Sequence, residues 1–251
     1  MKPTRHLAPV ALFLGALCMA LAATSGAAEI AAKKPNISGT WERTPDDWFG
    51  EDPDDPVLPG GPMPLKEPYA SQYTELKKRQ AEANQAGTPL ATTSARCLPE
   101  GMPTLMAALF PIQIIYDDNN VIVLGEYLQQ VRRIILNEPL PPLDELDPVY
   151  QGHSRGRWQG DTLVVETRAV RTDVTFYDVP HSEKVKITEH IRLTAPDHLQ
   201  NHVVIEDPQI LTKPYEFTFE YKRSDYRIEE YVCENNQIVI DSEGKATLKT
   251  D

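Results

Sequence analysis

The stretch "KVKITEHIRLTAPDHLQNHVVIEDPQILTKPYEFTFEYKR", residues 184–223, decides the fold of this 251-residue chain. Apolar and polar side chains alternate along three of its segments, and this is the period of a half-buried β-strand. The segments are 184–193, 199–206 and 215–223. Proline-containing turns at 195–197 and 207–208 separate them. The stretch therefore predicts three successive strands that pair as antiparallel neighbours.

Strand-like segments continue this pattern on both sides. They are 35–42, 111–117, 120–127, 130–136, the hairpin 156–167 and 226–233. One helix is expected at 69–87, where good helix formers dominate and Gly87 ends the pattern. Residues 44–68 are rich in proline, glycine and acids, which predicts a loop. About ten short, regularly spaced strands with one helix predict a mainly β, antiparallel sandwich or barrel. No repeat and no nucleotide-binding glycine pattern is present.

The N-terminus has the pattern of an export signal. Lys2 and Arg5 precede an apolar run from Ala8 to Ala23, and small residues follow up to Ala28. We expect cleavage near Ala28 and a periplasmic or secreted protein. The alternatives are a retained membrane anchor, for which the run is short, and a lipoprotein, for which the residues before Cys18 are unsuitable. No stable membrane insertion is expected after cleavage.

The charge of the chain excludes some partners. The net charge is −12, and removing residues 1–28 takes away two basic residues and no acid, which leaves −14. So acidic a surface argues against binding nucleic acid or anionic lipid.

We expect four regions along the chain. Residues 1–28 form the signal peptide, and 29–94 supply an N-terminal strand, the proline-rich loop and the helix, which wrap the barrel. Residues 95–236 form the β-barrel core, and 237–251 form a C-terminal tail.

Two cysteines remain after cleavage, Cys97 and Cys233. In an oxidising compartment a single pair is most simply a disulfide. The alternative is two free thiols, one of them catalytic.

The strand alternation predicts which side chains face inward. An aromatic row, Tyr215, Phe217, Phe219 and Tyr221, shares one face of its strand. Glu189 and Glu230 are predicted as inward acids on otherwise apolar faces. Arg132 or Arg133 is the inward cation, and the pattern does not choose between them. Because a buried charge needs a partner, these residues predict either a structural ion pair or a pocket with a functional acid. Such a pocket would bind a small, flat, partly polar ligand.

Two His-Ser pairs, His153-Ser154 and His181-Ser182, stand where loops lead into strands. Three chemistries are open to them: a serine nucleophile, a two-histidine metal site with Glu189, or acid–base catalysis by one histidine with Glu189. No nucleophile-elbow motif supports the first, and no metal-ligand spacing supports the second. In the remaining interpretation these side chains only cap loops through hydrogen bonds.

A set of short motifs resembles a large group of exported, uncharacterised proteobacterial and acidobacterial proteins with a lipocalin-like β-barrel. The motifs are "ISGTWE" (37–42), "RCLPEGMP" (96–103), "RRI" (132–134), "GHSRGRWQGDTLVVET" (152–167), "HSEKVKITEHIR" (181–192), "EDPQILTKPY" (206–215) and "EYVCENN" (230–236). The resemblance covers about 95–236, and the helix at 69–87 fits it. Gln159 stands where the group usually has Glu, and Asn137-Glu138 stands where it commonly has Asp-Gly. The resemblance implies fold and export, and it implies no activity.

Together these observations predict an exported lipocalin-like barrel that binds a small molecule through its aromatic row, Glu230 and Arg132 or Arg133. The alternative is a cofactor-free lyase, isomerase or hydrolase that uses His153, His181 and Glu189 for proton transfer on an aromatic or terpenoid-like metabolite. Neither hypothesis requires a metal or a cofactor, and the sequence predicts no oligomeric state.

Overall fold

The computed structural model describes residues 34–44, 58–92, 94–107, 110–233 and 238–248. The predicted signal peptide, most of the proline-rich loop and residues 234–236 lie outside the described residues.

Nine strands form one closed barrel, in chain order around it, and the last strand pairs with the first. They are β1 (Gly39–Thr44), β2 (Ile112–Tyr116), β3 (Asn120–Gly125), β4 (Gln130–Leu136), β5 (His153–Gln159), β6 (Thr162–Arg168), β7 (Lys186–Ala195), β8 (His198–Glu206) and β9 (Tyr215–Ser224). The chain is therefore mainly β, as its alternation predicts. The barrel is not confined to 95–236, because β1 closes it between β2 and β9.

The barrel is mixed, which corrects the prediction of a strictly antiparallel barrel of about ten strands. Strands β4 and β5 run parallel, with Ile134 opposite Ser154 and Leu136 opposite Gly156. Nine strands cannot alternate in direction all the way around a closed ring, so one pair must be parallel. Residues 137–152 carry the chain back along the barrel to make that pair.

Residues 226–233 are not a strand, although their alternation predicted one. The physical reason is closure: β9 already pairs with β8 on one side and β1 on the other, so no free edge remains for a further strand. Glu230, predicted to point inward, is instead exposed.

Two α-helices accompany the barrel in the part of the chain that the structure describes, where one was expected. Helix α1 (Tyr69–Gln85) matches the predicted helix and buries only Ala83. Helix α2 (Thr104–Ala107) is four residues long, and all four are buried. It belongs to a buried segment, residues 101–107, which we call the plug.

The plug closes one end of the barrel, the end at which β1 and β3 finish. Tyr221 donates its hydroxyl to the carbonyl of Met106. Leu105 packs so close to Gly125 that a Cβ there would lie 2.5 Å from Leu105 Cδ1, so a larger residue would require the end of the Leu105 side chain to move. We call this end of the barrel the plugged end.

A small two-stranded sheet follows the barrel, formed by β10 (Ile238–Ile240) and β11 (Ala246–Leu248). It lies within the expected C-terminal tail and was not predicted. Among the described residues, no helix is long and apolar enough to cross a membrane.

Candidate functional site

The centre of the barrel holds an ion pair between Arg132 of β4 and Glu189 of β7. Both side chains are fully buried, at 0% exposure. Arg132 Nη1 donates to Glu189 Oε1 at 3.1 Å, and Arg132 Nη2 donates to Glu189 Oε2. This two-pronged contact suits the planar guanidinium and satisfies both carboxylate oxygens.

Three neutral side chains complete the polar centre. Ser154 and Thr167 accept hydrogen bonds from Arg132, at 3.3 Å and 3.0 Å, and their hydroxyls lie 2.8 Å apart. Asn201 Nδ2 donates to Glu189 Oε1 at 2.9 Å. Because these partners lie on neighbouring strands, the network ties the barrel together from inside. It matches the interpretation of Glu189 as part of a structural ion pair.

The aromatic row fills the rest of this interior along β9. Tyr215, Phe217, Phe219 and Tyr221 are each 5% exposed or less. Successive ring centroids are 5.4, 5.0 and 6.4 Å apart, so the rings pack on one another. Burial raises the pKa of Tyr215 to about 12 and raises that of Tyr221 further, with the nearby Glu189 charge adding to the shift of Tyr221. The barrel thus contains a buried aromatic cluster.

The structure distinguishes between the two arginines. Arg132 is the inward cation, and Arg133, the next residue along β4, is exposed. The predicted acid Glu230 takes no part in the network, since it lies in the irregular segment after β9.

The first His-Ser pair splits between the two faces of β5. Ser154 points inward to Arg132. His153 points outward, and its Nε2 lies 2.9 Å from the carbonyl of Asp147. The two side chains therefore act on opposite sides of the barrel wall, as neighbours in a strand must.

A cleft lies at the plugged end, between the barrel rim and the loops that cover it. Its own side chains nearly fill it: the cavity volume is about 20 Å³, room for about one water molecule, and the cleft is partly open to solvent. Its lining is almost entirely apolar. The lining residues are Met63, Met102, Pro103, Phe176, Val179, Pro180, His181, Val185, Ile187, Ile205, Asp207, Ile210 and Leu211.

His181 is the polar group of this cleft with an unused bonding site. Its Nδ1 lies 3.0 Å from the carbonyl of Ser182. Since a carbonyl only accepts, Nδ1 carries the proton and donates it. In a neutral ring Nε2 is then an acceptor, and it is buried without a hydrogen-bond partner among the described residues. A buried, unpaired acceptor costs free energy unless something else binds it.

The other polar residue of the cleft, Asp207, is fully engaged. Its Oδ1 accepts from Ser182 Oγ at 2.8 Å and from the amides of Gln209 and Ile210, and its Oδ2 accepts from the Ser182 amide at 2.6 Å. Asp207 and Ser182 therefore hold two loops together and leave His181 as the anchor.

The predicted catalytic set does not converge. His181 lines the cleft, whereas neither Glu189 nor His153 does. Glu189 is bound by Arg132 and Asn201, and no hydrogen bond joins it to either histidine.

Sequence reasoning identified His181 but missed the rest of the cleft. The lining comes from five separate parts of the chain: Met63, the plug, 176–181, the facing ends of β7 and β8, and 207–211. No local pattern marks such a site. The one available signal was a polar residue at a loop-to-strand junction, and it selected His181.

The predicted disulfide is present beside the plugged end. Cys97 and Cys233 are joined, with their Cα atoms 5.7 Å apart.

Glu100, three residues after Cys97, directly precedes the plug, and burial raises the pKa of its carboxyl to about 7. Glu100 has no ion pair within the described part of the chain.

No protein-family model matches the chain, and no curated protein matches it. Nor do the described ranges hold any group of three or more His, Cys, Asp or Glu side chains arranged, as they stand, to bind a metal ion. The functional conclusion therefore depends on the geometry of the chain itself.

Proposed function

We propose that this protein is an exported binding protein for a small, mostly apolar molecule that carries a hydroxyl or another hydrogen-bond donor. The binding site is the cleft at the plugged end, which a ligand would widen by displacing the lining segments 176–181 and 207–211. The observation that carries the proposal is the buried, unpaired Nε2 of His181 in an otherwise apolar cleft.

The chemistry of the cleft supports this ligand class. Apolar side chains such as Phe176, Ile205 and Leu211 favour a hydrophobic body. His181 Nε2 accepts one hydrogen bond, so a ligand donor would complete it. A ligand without a donor would leave that acceptor unpaired and would bind more weakly.

The packing of the barrel interior favours the cleft, rather than the barrel centre, as the binding site. The aromatic row and the Arg132–Glu189 pair occupy the space in which a lipocalin-like barrel would hold a ligand. Their polar groups already have partners, so an incoming ligand would break bonds there. The aromatic row instead supports the wall of the cleft. Phe217 of the row stacks on Phe176 with ring centroids 5.1 Å apart, and Phe176 lines the cleft.

Export is part of the proposal. It is supported by the N-terminal pattern of Lys2, Arg5 and the apolar run, by the Cys97–Cys233 disulfide, and by the resemblance to exported barrel proteins. Acid–base catalysis would have to depend on His181, the single member of the predicted set that lines the cleft.

The test uses p-cresol and toluene, which differ by one hydroxyl group. Residues 29–251 are labelled at isoleucine methyl groups and titrated with each probe by NMR. Ile187, Ile205 and Ile210 line the cleft, while Ile134 and Ile191 are equally buried outside it and serve as internal controls. We expect the three cleft methyls to shift and p-cresol to bind roughly 3–10-fold more tightly than toluene.

The matched variants are His181→Phe and His153→Phe. The first keeps an aromatic ring in the cleft and removes Nε2, so the preference for p-cresol should disappear. The second changes a histidine outside the cleft and should leave the preference intact. Equal binding of both probes to the unmodified protein, or shifts confined to Ile134 and Ile191, would overturn the proposal.

A further inference from the structure

The outer wall of the barrel carries two histidines and one acid on three neighbouring strands. His190 of β7 lies directly opposite His202 of β8. Glu216 of β9 lies opposite Val204, diagonally across from His202. The residues that flank them, Glu189, Asn201 and Phe217, point inward, so all three side chains stand on the outer face.

We propose that these three residues form a site for a first-row divalent metal ion, of which Zn²⁺ is the representative. Imidazole and carboxylate are ordinary ligands for such ions, and two histidines with one acid leave further positions for water. The ligands are 12 and 14 residues apart along the chain, so no sequence spacing marks them.

The separation of His202 and Glu216 suits two ligands of one ion. Their Nε2 and Oε2 atoms are 3.6 Å apart, which is too long for a hydrogen bond. Two ligand atoms on one tetrahedral zinc ion are about 3.4 Å apart, given bond lengths near 2.1 Å. Both side chains are reachable from solvent, with exposures of 39% and 58%.

The ring of His202 is held in the orientation that a ligand needs. Its Nδ1 lies 3.2 Å from the hydroxyl of Thr218, which leaves Nε2 toward Glu216. Metal-binding histidines commonly use the second ring nitrogen in this way, because the bond fixes both the tautomer and the ring plane.

His190 supplies the third ligand. Its ring centroid is 5.9 Å from that of His202, and two imidazoles that share one ion have centroids about 5–6 Å apart. Its Nδ1 is buried without a hydrogen-bond partner among the described residues. Rotation of this ring about its side-chain bonds would complete the three-ligand group, which the present side-chain orientations do not provide.

The experiment is calorimetric titration of the chelator-treated chain 29–251, without a histidine tag, with Zn²⁺ alone. We expect one ion per chain, with the dissociation constant raised at least tenfold in His190→Gln and in His202→Gln. Glu216→Gln should raise it a few-fold. The control is His198→Gln, an exposed β8 histidine whose Nδ1 lies 2.9 Å from Asp197 Oδ1; this change should leave zinc affinity unchanged.

Two results would overturn the proposal. One is the absence of binding at millimolar Zn²⁺. The other is binding of equal strength in the unmodified chain, His190→Gln and His202→Gln. Because all the substitutions are on the outer face, circular dichroism of each variant separates loss of ligand from loss of fold.

Discussion

The centre of the barrel and the cleft at its plugged end both hold polar groups among apolar side chains, yet they use them differently. At the centre, Glu189 is fully buried and each of its oxygens is bonded, by Arg132 and Asn201. In the cleft, His181 has one ring nitrogen bonded and the other unpaired. The charged groups at the centre are thus paired, and the one unpaired atom of that network is Asn201 Oδ1, whereas the unpaired atom of the cleft lies beside a partly open cavity. In our proposal the centre is structural and the cleft binds the ligand.

The largest expected effect is on the central ion pair. Replacing Arg132 by Leu leaves Glu189 buried without its cation, and we expect the free energy of unfolding to fall by about 3–5 kcal/mol. Urea denaturation measures this loss. The double variant Arg132→Leu with Glu189→Leu should recover most of it, because no lone charge remains. A single variant that loses less than about 1 kcal/mol would show that the centre is not held by this pair.

We expect the Cys97–Cys233 disulfide to stabilise the plugged end more than the rest of the barrel. Replacing Cys97 and Cys233 by Ser releases a loop of 136 residues in sequence separation, and we expect a loss of about 2–5 kcal/mol. Hydrogen exchange should accelerate most in the plug, which begins four residues after Cys97, and least in β7 and β8. Uniform acceleration across the barrel would remove the distinction between the two regions.

Glu100 makes the plugged end sensitive to pH. Burial raises its pKa from 4.5 to about 7, so the folded protein holds a proton that the unfolded chain releases. Stability from this group is complete below about pH 4.5 and is lost as the pH rises to 7. We expect Glu100→Gln to be more stable than the unmodified protein by about 1–3 kcal/mol at pH 8 and equal to it near pH 4.5. Thermal unfolding at the two pH values tests this, and equal stability at pH 8 would contradict it.

The smallest effect on stability is expected in the cleft. His181→Phe removes an acceptor that has no partner, so the free energy of unfolding should change by less than about 1 kcal/mol. Ligand preference should change instead. If His181→Phe destabilised the protein as much as Arg132→Leu does, His181 would have a structural role like that of the central ion pair.

Sequence alternation predicted the strands and their inner faces well, since burial on one side of a sheet imposes a period of two. It placed Glu189 and the aromatic row correctly. It failed at 226–233, where the same alternation continues but barrel closure leaves no edge to pair with. The parallel β4–β5 pair was also missed, because strand direction depends on how many strands close the ring.

The cleft was the least predictable feature. Its walls come from segments that meet only when the plug enters the barrel, so no single segment carries its pattern. The Cys97–Cys233 pair was predictable because only one pairing remains once Cys18 is assigned to the predicted signal peptide.

The most direct measurement of the central claim is the position of bound p-cresol, found from intermolecular nuclear Overhauser effects to methyl groups of the unmodified protein. The claim predicts contacts from the probe to Ile205 and Ile210 in the cleft. Contacts to Ile134 or Val123, which lie in the core and do not line the cleft, would contradict it and return recognition to the centre of the barrel.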